Sequence, residues 1–120
     1  MNEATRKKAI KVINRGIKFY KRELMRQLEL RAEYDLHNGN LIGDTFQDID
    51  GCNPKKYAII VSDLLSVKRA IQNDKEEVKL YASMESREDY YDETSSILLK
   101  TGLDFCGDEP GILKISVIEE

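Results

Sequence analysis

The chain has 120 residues, 41% of them hydrophobic and 34% charged, with 19 Lys/Arg against 22 Asp/Glu for a formal net charge of −3. This is the composition of one ordinary soluble domain, residues 1–120, with apolar material for a single core. Apolar runs such as Tyr57-Ala58-Ile59-Ile60-Val61 are too short to cross a bilayer, and the basic first residues lack the apolar stretch and cleavage site of a signal peptide.

Asn2 to about His37 reads as one long amphipathic helix. At roughly 100° per residue, Ile10, Ile13, Ile17, Tyr20, Leu24 and Leu28 share a face with Ala9 beside them. Lys8, Lys11, Arg15, Lys18, Arg22 and Arg26 take the opposite face, and Val12, Phe19, Met25 and Leu30 lie on the flanks. Gly16 interrupts the pattern at a cost of about 1 kcal/mol relative to Ala, but the stripe keeps phase from Ile13 to Ile17. That favours one helix, kinked at most. Its length, roughly 50 Å, exceeds the roughly 35 Å diameter of a compact globule of this size. Either the helix bends back at Gly16, or another chain covers large apolar side chains that overhang.

The helix should close at His37-Asn38-Gly39-Asn40, where Asn and Gly supply left-handed conformations. Residues 41–49 read as a weakly alternating strand, followed by the turn dipeptides Asp50-Gly51 and Asn53-Pro54. Lys56 to Val61, a short run rich in β-branched residues, reads as the clearest strand. Ser62-Asp63 can then cap a short helix carrying Leu64, Val67 and Ile71. Val78 to Ala82 reads as a further strand. Ser86 and Asp89 resemble a capping box opening a helix from Arg87 to Thr101, with Gly102 in the position of a helix-closing glycine. After a turn over residues 107–111, a last strand alternates Leu113, Ile115 and Val117 toward the core with Ile112, Lys114, Ser116 and Ile118 outward. The expectation is an α+β fold: a long basic helix over residues 1–37, then an acidic body over residues 41–120. That body holds an antiparallel sheet of about four strands and one or two short helices.

Charge is split along the chain. Residues 1–31 hold ten Lys/Arg against Glu3, Glu23 and Glu29, a net of +7, while residues 32–120 hold nine against nineteen Asp/Glu, a net of −10. Such asymmetry suits a basic helix resting on the acidic body of a neighbouring subunit, or a helix meeting nucleic acid.

The residues that carry chemistry form no convincing constellation. Asp48-Ile49-Asp50-Gly51 echoes an EF-hand loop, but its first and twelfth ligand positions would be Phe46 and Tyr57. Cys52, Cys106 and His37 lack zinc-ligand spacing, and the two cysteines read as reduced thiols. A Cys52–His37 nucleophile pair has no local support. Asp44, Asp48 and Asp50 form a triplet that a body with nineteen carboxylates supplies by chance. No phosphate-cradling glycine pattern occurs. The reading is a non-enzyme without cofactor, metal or small-molecule substrate.

One stretch carries a resemblance. The basic helix followed by His37-Asn38-Gly39-Asn40-Leu41 and Gly43-Asp44-Thr45-Phe46 resembles the tail-completion or neck proteins of tailed bacteriophages, where a helix precedes a "TGNLR-x-S" stretch and a small antiparallel sheet. Gly39, Asn40 and Leu41 match; Asn38 stands in place of Thr and Ile42 in place of Arg. The resemblance implies a component of the virion, met otherwise in the host bacterium's cytoplasm, forming a ring or collar between head and tail without cofactor or catalytic residues.

The functional expectation is therefore an assembly protein that packs with copies of itself and with other virion proteins. Ile10, Ile13, Ile17, Tyr20, Leu24 and Leu28 would be the buried anchors of its interface, and Lys11, Arg15, Lys18, Arg22 and Arg26 would meet acidic neighbours. Two alternatives stand beside it. One is a small acidic inhibitor or immunity-type protein acting through Asp44, Asp48, Asp50, Glu85, Glu88, Asp89, Asp92 and Glu93. The other is a non-specific nucleic-acid binder using the basic helix face, which on sequence spacing shows no interleaved aromatics.

Overall fold

A computed structural model of the protein describes residues 1–37, 52–81, 88–109 and 111–118. The fold is α+β, with helices α1 (Glu3–His37), α2 (Pro54–Gln72) and α3 (Glu88–Leu99) and strands β1 (Glu77–Lys79), β2 (Leu103–Glu109) and β3 (Ile112–Val117). The strands form one antiparallel sheet in the order β1-β3-β2. Three strands are therefore described where four were expected. The expected strand over residues 41–49 lies outside the described residues, as does the motif carrying the phage resemblance.

α1 runs unbroken through Gly16 and sets the long axis of a molecule measuring 56 × 27 × 21 Å. Asn2 opens it, its Oδ1 accepting the Thr5 amide at 2.8 Å. α3 passes closely over Gly16: a Cβ there would stand 2.6 Å from Ile97 Cδ1.

The strand expected at Lys56–Val61 is instead the first half of α2. A short apolar run buried on several sides has no periodicity of its own, and β-branched content decided the sequence reading wrongly. The longer window resolves it, since Tyr57, Ile60, Leu64, Val67 and Ile71 recur at spacings of three and four. Pro54 at the helix start needs no amide partner. At the far end Asp74 takes φ 52°, a left-handed conformation that Asp tolerates. The Lys75 amide then reaches Ala70 O at 2.9 Å and the Asp74 amide reaches Ile71 O at 3.4 Å, closing a Schellman motif. Asp63, expected as a cap, is a buried mid-helix residue whose Oδ1 accepts the Tyr81 amide at 2.8 Å, tying the segment after β1 to α2.

α2 lies antiparallel along α1: the amide of Asn53 donates to Gln27 Oε1 at 2.9 Å near one end, and Arg6 pairs with Asp74 near the other. α3 crosses α1 on an adjoining side, and Gly102 follows it with φ 80°, as a helix-closing glycine should. β2, not anticipated, pairs with β3 from Leu103↔Val117 to Cys106↔Lys114, then shifts register before Glu109↔Ile112. Leu113 and Ile115 face the core as alternation required, while Val117 is exposed. Ala9, Ile13, Ile17, Ile60, Leu64, Ile71, Leu80, Leu98 and Leu103 belong to one buried cluster at the meeting of the three helices and the sheet.

Candidate interaction surface

α1 presents three sides. One is covered by α2, a second by α3, and the third faces solvent. The anticipated interface residues are distributed among all three.

Ile13 and Ile17 lie in the chain's own core, at 0% and 7% exposure, and are unavailable as anchors for a partner. This corrects the expected interface. An apolar stripe on a helix shows that something covers it, and here α2 and α3 of the same chain do so. Ile10 and Tyr20 pack partly buried against that core. Leu24 and Leu28 are half-buried. Lys11, Arg15, Lys18, Arg22 and Arg26 are exposed, as are Lys7, Lys8 and Lys21. Only Lys7 and Arg26 among these pair with a described carboxylate, at 3.7 Å from Glu3 and 3.6 Å from Glu23.

Past Gln27 the inward face of α1 turns polar. Gln27, Arg31 and Asp35 are buried, and Arg31 Nε donates to both Asp35 oxygens at 3.3 Å. Apolar side chains over this distal third point outward instead: Met25, Leu30, Tyr34 and Leu36 are exposed, Leu36 to 83%. Phe19 is 55% exposed on the outer flank of the proximal part. Its ring meets Tyr20 edge-on at 5.0 Å, and Tyr20 stacks on Tyr57 at 6.1 Å.

The three helices converge at Tyr20. Lys56 Nζ of α2 pairs with Glu93 Oε1 of α3 at 2.9 Å, and the Glu93 carboxylate lies beside the Tyr20 phenol. Burial, then the negative charge of Glu93, raises the Tyr20 hydroxyl above its usual pKa of 10.0. Above this junction a groove of about 470 Å³ separates α1 from α3. It is lined by Val12, Gly16, Phe19, Tyr20, Ser96 and Ile97, with Arg15 and Lys100 as its cations.

The Cys52 thiol donates to Gln27 O at 3.1 Å in a buried site, Cys106 is exposed, and neither is in a disulfide. His37 is exposed at the end of α1. Among the described residues no cluster of three His, Cys, Asp or Glu is placed to hold a metal, and no helix is long and apolar enough to cross a membrane. Asp44, Asp48, Asp50 and Glu85, on which the acidic-inhibitor and carboxylate-triplet readings drew, lie outside the described residues, as do the side chains of Glu88, Asp89 and Asp92.

No protein-family model, curated protein or solved structure matches this chain.

Proposed function

We propose that the protein is a non-enzymatic assembly component that packs with copies of itself and with other virion proteins at a phage head–tail junction. The observation that carries the reading is the distal third of α1, where Met25, Leu30, Tyr34 and Leu36 expose apolar surface on the helix that sets the length of the molecule. Isolated surface apolar residues are ordinary, but Leu30 and Tyr34, one turn apart on α1, together with the 83%-exposed Leu36 near its end, offer large side chains for a neighbouring subunit to cover. The split between a +7 helix segment and a −10 remainder favours a head-to-tail contact, in which unlike surfaces meet and a ring can close. The phage context rests on the motif resemblance around Gly39-Asn40-Leu41 alone.

Size exclusion with light scattering, at low and high salt, tests the reading. The expected species is a multiple of 13.8 kDa that dissociates as salt rises. Leu30→Asp should reduce it to a monomer while leaving circular dichroism unchanged, because Leu30 lies outside the core. A monomer at every concentration and salt would overturn self-assembly.

A further inference from the structure

The proximal outer face of α1 differs from the distal third, and its composition points to a second partner. From Lys7 to Arg26, a rise of roughly 28 Å, it carries eight exposed cations, and Glu23 is the one acidic residue in the span. By helical spacing Lys8, Arg15, Arg22, Arg26 and Phe19 fall within a strip about 60° wide with Phe19 at its edge, so the aromatic that the sequence reading set apart on the flank is exposed beside the basic face. The groove beside it is largely apolar and carries Arg15 and Lys100.

We propose that this ridge and groove bind single-stranded nucleic acid. The cations would track the phosphodiester backbone, with one base seated in the groove against Phe19. Two features favour a nucleic acid over the acidic surface of another protein. Five of the eight cations are lysines, which protein–protein interfaces exclude relative to the rest of the surface. An exposed aromatic beside a cationic track is the arrangement that stacks unpaired bases without reading their sequence. A single strand is favoured over a duplex because only an unpaired base can enter the groove. The assembly reading takes its apolar contact from the distal third of the same helix but its charge split from this basic segment, so a nucleic-acid strand and an acidic neighbouring subunit would compete for the ridge.

The chain has no tryptophan, so Phe19→Trp places a single, selectively excitable tryptophan in the strip. Titration of this variant with oligothymidylate and oligouridylate of about 15 nucleotides should quench its emission, the two arms separating DNA from RNA. With wild-type protein and a labelled strand, about five phosphate contacts predict a slope near −3.5 for log K against log salt. Arg15→Ala should make that slope shallower by about 0.7. Phe19→Ala should keep the slope and weaken binding roughly 5- to 150-fold, the loss of one stacked base. The proposal is overturned by an unquenched Phe19→Trp, by unchanged affinity in Phe19→Ala, or by tighter binding to a duplex of equal length. Equal binding to polyglutamate would also overturn it, assigning the ridge to an acidic protein.

Discussion

Tyr20 shows how one side chain serves two neighbours. Its ring bridges Phe19 and Tyr57, and its hydroxyl sits beside Glu93 where burial and that carboxylate both resist ionisation. Below pH 10 the phenol is neutral whether or not the chain is folded, and it contributes no pH dependence. Above pH 10 the unfolded chain releases this proton first, so stability falls with rising pH until the folded phenol also ionises. Tyr20→Phe should therefore flatten the alkaline arm of a urea-derived stability profile relative to wild type, with little change near neutrality. An alkaline arm identical in both proteins would place the loss on other groups. From the sequence Tyr20 was legible only as part of an apolar stripe. The Glu93 carboxylate that acts on it is 73 positions away, and no spacing rule links them.

At the scale of elements, the close approach of α1 and α3 depends on Gly16. A methyl group there would meet Ile97 Cδ1 at 2.6 Å and Cγ2 at 3.2 Å, the latter next to the backbone and slow to yield. Gly16→Ala balances a helix-propensity gain of about 1 kcal/mol against an overpacking cost of about 1–3 kcal/mol. A net loss of about 1 kcal/mol is expected, lowering the melting temperature by roughly 4 °C. Gly16→Leu should lose more and loosen α3, read as faster amide exchange over residues 94–99. A stabilised Gly16→Ala would show that α3 does not approach so closely. The long helix was legible because its apolar stripe keeps one phase from Ile10 to Leu28, and its end because Asn38-Gly39 is a turn signal. α2 was half misread because five apolar residues in a row satisfy a buried strand as well as a buried helix. Asp63 was misread for a related reason. Asp is commonest at helix starts, and only the fold reveals the Tyr81 amide that it serves from mid-helix.

For the whole molecule, the radius of gyration of 16.2 Å exceeds the roughly 14 Å of a compact chain of this length, and the 35-residue helix α1 extends past the other described elements. The two portions of that helix should respond oppositely to charge. Ile13→Asp places an unpaired carboxylate at a fully buried site and should unfold the protein, whose total stability is of the order of 5–15 kcal/mol. Leu30→Asp should leave the fold intact. Cooperative melting of Ile13→Asp near the wild-type temperature would refute the core described above.

By itself the amino-acid sequence determined the length and phase of α1, its segregated basic face, the closing glycine at Gly102 and the inward alternation of Leu113 and Ile115. These are local properties, set by neighbours three, four or two positions apart. What covers the apolar stripe was beyond it. The stripe at Ile13 and Ile17 looked like a surface for another subunit, and only the tertiary structure decided that α2 and α3 of the same chain close over it. Periodicity states which face is buried, whereas the identity of the covering surface depends on contacts between residues distant in sequence. The same long-range packing left Phe19 in solvent beside the basic face, an exposure that its place on the helix flank did not specify.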